Sequence, residues 1–173
     1  AGKYEATSAT ASNDRVCADC TDGTFTASAG LSSCAAWRMC AAGHGQLTAG
    51  SATADRVCEA CASGSAFSTT SDGAACESVS AVCEAGMYLS AAATATSDRV
   101  CTACADGTFT ASAGLSSCAA WRMCAAGQGQ LTTGSATADR VCEACASGSA
   151  FSNTNDGAAC ESVSAVCEAG MYL

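Results

Sequence analysis

Sixteen cysteines in 173 residues are the groups in this chain best placed to do chemistry. Thiols offer three kinds: metal ligation, thiol–disulfide exchange and permanent cross-linking. Four Cys-x-x-Cys pairs (Cys17/Cys20, Cys58/Cys61, Cys101/Cys104, Cys142/Cys145) have the spacing of half a zinc site, and two such pairs could supply a tetrahedral thiolate set. Their neighbours argue otherwise. Cys20, Cys40, Cys61, Cys83, Cys104, Cys124, Cys145 and Cys167 each read Cys-x-x-Gly, the remaining cysteines never do, and the two kinds alternate strictly along the chain. Glycine near the start of a loop permits the positive φ of a tight turn, so the first kind reads as loop openers and the second as closers. The members of each Cys-x-x-Cys pair then belong to different loops. No βαβ pattern surrounds them, as a thioredoxin-like couple would need. His44 is the single histidine, and without it no Ser/His/Asp or Cys/His constellation can be assembled. Neither an enzyme, a metal site nor a cofactor is implied.

Counting alone does not fix connectivity, but the opener rule narrows it. If each opener bonds to the next closer, the bridges are Cys20–Cys34, Cys40–Cys58, Cys61–Cys76, Cys83–Cys101, Cys104–Cys118, Cys124–Cys142 and Cys145–Cys160. Cys17 and Cys167 then take partners outside the sequence, as though it were cut from a longer array. Leu, Val and Phe are sparse and Ile is absent, so the chain lacks an ordinary hydrophobic core. Covalent staples are the usual substitute, and they persist in oxidising surroundings. The expected fold is a small disulfide-rich repeat, an elongated ladder of short β-hairpins and loops with almost no helix, located outside the cell or at its surface.

The elements that must position these cysteines repeat. Residues 17–89 return at 101–173 with seven differences: Ala18/Thr102, Asp19/Ala103, Thr21/Ala105, His44/Gln128, Ala49/Thr133, Thr69/Asn153 and Ser71/Asn155. Such a period identifies a repeat architecture before any other argument. Residues 1–16 read as the end of a preceding loop. Unit 1 spans 17–100, with halves near 17–57 and 58–100. Unit 2 spans 101–173, truncated, with halves near 101–141 and 142–173. Asp-Arg-Val-Cys recurs where each half begins, at Asp14–Cys17, Asp55–Cys58, Asp98–Cys101 and Asp139–Cys142.

These residues resemble a known family. Cys-Thr-Asp-Gly-Thr-Phe-Thr-Ala-Ser (20–28), Cys34, Trp37, Cys40, Gly45-Gln46 and Asp-Arg-Val-Cys-Glu-Ala-Cys (55–61) are similar to the cysteine-rich repeats of tumour necrosis factor receptor ectodomains. The resemblance implies alternating shorter and longer loops with little regular secondary structure. The family's usual extra bridge in the second loop is absent: Trp37 stands near one expected cysteine, and Gly50–Ala52 where its partner would fall.

Other residues admit plainer readings. Phe25, Phe67, Tyr88, Phe109, Phe151 and Tyr172 each follow an opener by five or six positions, which suits short strands whose aromatic covers a disulfide. Trp37 and Trp121 read as disulfide shields, with the stem of Arg38 or Arg122 alongside. In Asp-Arg-Val-Cys two accounts stand side by side: a buried valine with two solvated charges, or an Asp bonding turn amides while Arg pairs with a carboxylate on the neighbouring loop.

A net charge of −9, with Lys3 and six arginines confined to motifs, excludes nucleic acid as a partner. No segment is long and apolar enough to span a membrane. Near-identical copies in series suit a mechanical role, a structural segment of a long extracellular stalk, filament or appendage such as a flagellar hair or surface fibre. Its partners would be copies of itself or other filament proteins. Ser/Thr runs at 6–12, 63–71 and 91–97, with no Asn-x-Ser/Thr sequon, would carry any sugar as O-linked glycan. The alternative is the ligand-binding ectodomain of a receptor of the resembled family.

Overall fold

The computed structural model describes residues 1–164. The chain divides into two compact units, Ala1–Ser80 with Ala92–Arg99, and Ala81–Ala91 with Val100 onward. Among the described residues there is no helix, and every strand belongs to a two-stranded antiparallel hairpin. Long hairpins alternate with short ones. β1 (Lys3–Thr7) pairs with β2 (Val16–Asp19), then β3 (Thr24–Phe25) with β4 (Ala35–Ala36). Next come β5 (His44–Thr48) with β6 (Val57–Ala60), and β7 (Ala66–Phe67) with β8 (Glu77–Ser78). The second unit repeats the series. β9 (Met87–Ala91) pairs with β10 (Val100–Ala103), and β11 (Thr108–Phe109) with β12 (Ala119–Ala120). β13 (Gln128–Thr132) then pairs with β14 (Val141–Ala144), and β15 (Ala150–Phe151) with β16 (Glu161–Ser162).

Two local features make this pattern. The glycine three positions after each described opener has φ between 80° and 86°, a left-handed turn that non-glycine residues adopt only with strain. Each long hairpin also carries one register shift at an equivalent place, at Glu5/Thr7, Gln46/Thr48, Val100/Cys101 (on the β10 side) and Gln130/Thr132. Such bulges add twist and bend the strand. Phe25, Phe67, Phe109 and Phe151 fall in the short strands β3, β7, β11 and β15, and Tyr88 in β9, while Tyr172 lies outside the described residues.

Seven disulfides join Cys20–Cys34, Cys40–Cys58, Cys61–Cys76, Cys83–Cys101, Cys104–Cys118, Cys124–Cys142 and Cys145–Cys160, with Cα separations of 5.5–5.8 Å. That separation is the ordinary one for an unstretched bridge. They supply most of the interior. Among the described residues the buried hydrophobic ones are Cys40, Cys61, Phe67, Cys83 and Cys124, four cystine halves and one core aromatic. The valines of Asp-Arg-Val-Cys are not part of it. Val16, Val57, Val100 and Val141 remain roughly half exposed, because a two-stranded hairpin has no second layer to cover its outer face. The buried-valine account is therefore corrected.

Among the described residues, two of the four most deeply buried side chains are polar and the other two are Cys40 and Cys124. Thr26 and Thr110 are 0% and 1% exposed. The Thr26 amide donates to Ala52 O, its carbonyl accepts from Gly2 N, and its hydroxyl donates to Lys3 O, at 3.0, 3.0 and 3.2 Å. Thr110 does the same with Ala136, Gly86 and Met87. Ser68 holds the corresponding backbone position between Gly43 and Ala95. One hydroxyl residue thus ties a hairpin entrance to the turn of the next loop. Thr110→Val leaves Met87 O without that donor in a dry place, so it should cost about 2 kcal/mol in denaturant unfolding. A variant as stable as the parent would remove this residue's role.

Candidate functional site

The Asp-Arg-Val-Cys and Trp-Arg-Met motifs meet in one clamp per unit. The Trp37 ring lies on Gly50, where an added Cβ would overlap it, and the indole N–H donates to Ser51 O at 3.1 Å. The Arg56 guanidinium covers the ring, 5.7 Å from its centroid, and packs against Gly73 on its other neighbour loop. Its Nη1 donates to Arg38 O at 3.1 Å. Nε of Arg56, like that of Arg99 and Arg140, is covered without a hydrogen-bond partner, so the ring's cation–π attraction offsets part of the desolvation cost for Arg56 and Arg140. Asp55 accepts from the amides of Arg38 and Arg56 at 2.8 Å and from Arg38 Nε at 2.9 Å. Trp121, Gly134, Arg140, Asp139 and Arg122 rebuild the clamp in the second unit.

Beyond the disulfide-shield reading, the Trp37 ring packs on backbone glycine and on Arg56, while Arg38 turns to Asp55. The clamp also spans the two places where the extra bridge of the resembled family would stand. The aspartate half of the sharper Asp-Arg-Val-Cys reading holds, since Asp98 likewise bonds the Ser80 amide and hydroxyl. Arg56 engages the tryptophan instead of forming a close ion pair. It lies near Asp72 of the neighbouring loop, whose carboxyl it helps to hold low.

Hydrogen bonds to the ionised form set the acid response. Asp55 and Asp139 are held below the usual carboxylate value by the backbone amides of Arg38 and Arg122. Asp98 is held down by the Ser80 hydroxyl, Asp72 by the Thr70 hydroxyl, and Asp156 by the Ala158 amide. Folded pKa values below the unfolded 3.8 stabilise the native state above that pH and lose their effect as pH falls through them. The melting temperature should therefore stay level from pH 7 to 5 and drop only below about pH 4. A midpoint of loss near pH 6 in a thermal-melt series would contradict this.

Each unit also presents an open groove on the second of its long hairpins, β5–β6 and β13–β14. Leu47, Glu59, Ala60 and Ala62 border the Cys61–Cys76 bridge around about 270 Å³. Leu131, Glu143, Ala144 and Ala146 border Cys145–Cys160 around about 310 Å³. Met39, Leu47, Met123 and Leu131 are more than 60% exposed, a large share for side chains of this type. Sequence reasoning passed over Leu47 and Leu131. The available signal was a lone leucine between polar residues in a segment too thin to bury it.

The remaining site residues fall as follows. Cys17 is exposed and unbridged, facing Glu5 across β1 and β2, and Cys167 lies outside the described residues. His44 is exposed in β5, opposite Ala60. No group of His, Cys, Asp and Glu among the described residues is arranged to hold a metal ion. No helix there is long and apolar enough to cross a membrane.

Hairpins stapled by cystine define a disulfide-rich repeat of the cell exterior. Residues 20–58 and 104–142 match the TNFR/NGFR cysteine-rich region, so the chain carries TNF-receptor-type cysteine-rich repeats in tandem. Regions of that type are extracellular, non-catalytic binding modules. A chain of the human RANKL/OPG complex is similar at 24% identity and a TM-score of 0.36, over 80% of each chain. A chain of the mouse RANKL-OPG complex is similar at 22% identity and a TM-score of 0.37, over 80% of this chain and 98% of that one. No curated protein matches the sequence.

Proposed function

We propose that the chain is an extracellular protein-binding segment that offers one recognition face in each repeat. The observation that carries this reading is the match of residues 20–58 and 104–142 to a binding-module family, each stretch with equivalent exposed Met and Leu side chains. Repetition makes the binding multivalent: two modest contacts on one tether raise avidity without any new interaction. The partner class is a TNF-family ligand, the class for which receptors of the matched family are named. Surface plasmon resonance against a panel of soluble TNF-family trimers, RANKL included, tests it. Binding that disappears when the disulfides are reduced supports the proposal. No binding across the panel overturns it.

A mechanical role stands second, carried by the near-identity of the copies, which differ at only seven of the positions compared. Such uniformity is what a stalk or fibre lengthened by copying would show. Lateral association of the chain into fibres in electron micrographs, with O-linked sugar on native protein by mass spectrometry, would favour this role. A monomeric chain with bare hydroxyls would remove its support.

A further inference from the structure

We infer that the groove on the β5–β6 hairpin, and its equivalent on β13–β14, is a docking site for an extended protein segment that brings a short aliphatic side chain flanked by lysine or arginine. This deepens the binding role proposed above and rests on it for the biological partner, but the site itself follows from its own walls. Leu47 is 62% exposed, as is Leu131, so each is an apolar side chain left without cover. Beside it lie Ala60, Ala62 and the Cys61–Cys76 bridge, all apolar surface. That wall attracts hydrocarbon, while Gln46 and Glu59 make the polar edge of the same hollow.

The groove is preformed. The Gln46 amide donates to Ala74 O at 2.8 Å, and Gln130 donates to Ala158 O at 2.9 Å, which fixes the neighbouring loop against the hairpin. Cys61–Cys76 and Cys145–Cys160 anchor the same loop covalently. An occupant therefore meets walls that need little ordering, which spares affinity. At about 270 and 310 Å³ the space lies at or below the lower end of the range for whole small-molecule ligands, about 300–1,000 Å³, and suits side chains of a peptide.

Charge decides the kind of peptide. Glu59 and Glu143 stand exposed at the rim, and neither joins an ion pair among the described residues. The nearby cations are already engaged, Arg56 over Trp37 and Arg38 with Asp55. The chain as a whole carries −9, so an approaching basic segment is favoured over an acidic one at every distance that salt does not screen. All of these features recur in the second unit, so the chain has two equal sites.

The test uses the full chain labelled with ¹⁵N and the peptide acetyl-Gly-Lys-Leu-Lys-Gly-amide, with Glu-for-Lys and Gly-for-Leu peptides as controls. The expected result is amide shifts at Leu47, Glu59 and Ala60 and at Leu131, Glu143 and Ala144, with one shared affinity. Glu59→Gln should weaken the first site about three-fold and leave the second unchanged as an internal control. Shifts centred elsewhere, equal shifts from the acidic peptide, or no effect of Glu59→Gln at the first site would overturn the inference. A chain with Leu47→Ser and Leu131→Ser that still binds a TNF-family trimer at full affinity would refute the groove while leaving the proposed function intact. Peptide binding without any trimer binding would do the reverse.

Discussion

Trp37→Ala should destabilise its unit by about 3 kcal/mol, toward the low end for a tryptophan truncation because the ring is half-buried. The loss has three parts. The indole no longer covers Gly50, its N–H no longer satisfies Ser51 O, and the Arg56 guanidinium loses the ring that faces it. Trp37→Phe separates them: it keeps an aromatic face for Gly50 and Arg56 but removes the N–H, so about 1 kcal/mol should be lost. A double-mutant cycle with Arg56→Ala should return a coupling of about 1 kcal/mol for the cation–π contact. Denaturant unfolding with disulfides intact measures all three. A Trp37→Ala protein within about 0.5 kcal/mol of the parent, an ordinary surface effect, would mean that the clamp adds nothing to stability.

The size of that effect follows from what the chain lacks. With cystine supplying most of the interior, a stack of one indole on one glycine is a large fraction of the non-covalent packing in its loop. Where the resembled family has a second bridge, this chain has a ring, a backbone acceptor and a guanidinium.

The hairpin and disulfide character of the fold was legible because its causes are local. Cys-x-x-Gly marks a turn that only glycine makes without strain, and the structure has positive φ at the glycine after every described opener. Short strands follow the aromatics for the same reason: a turn shortly after the opener leaves the chain extended where Phe25, Phe67, Phe109 and Phe151 lie. The near-copy of 17–89 at 101–173 was plain from the sequence, and among the described residues the hairpins of β1–β8 recur as those of β9–β16.

What was not legible depended on which faces are covered. A valine before a strand cysteine usually reads as core, but Val57 and Val141 sit on hairpins with no facing layer. The Ser/Thr runs read as places for O-linked sugar, yet Ser68, within the 63–71 run, is buried, and so is Thr26 in a stretch that looks like its exposed neighbours. Hydroxyls become interior here because the loops approach through backbone groups, which need donors and acceptors that leucine cannot supply. The tryptophan partner was hidden for a related reason. Arg56 and Trp37 stand at opposite ends of the long loop, and only its closure by Cys40–Cys58 brings them together.

Removing one long-loop bridge should cost about as much as removing the tryptophan, and by a different route. Cys124 and Cys142 are 18 positions apart, a loop whose closure restricts the unfolded chain by about 3 kcal/mol in the entropic account. Cys124 is also 1% exposed, so serine there would bury a hydroxyl in place of a sulfur. The paired variant Cys124→Ser/Cys142→Ser should therefore lose about 3 kcal/mol or more. The damage should be local, because the contacts of β13 and β14 are mainly with each other. Hydrogen exchange should show lost protection at 128–132 and 141–144, with the equivalent hairpin at 44–48 and 57–60 unchanged in the same sample. Peptide mapping of the unreduced parent must first return Cys124 joined to Cys142. A Cys142–Cys145 link, or loss of protection spread evenly over both units, would refute a chain held together loop by loop.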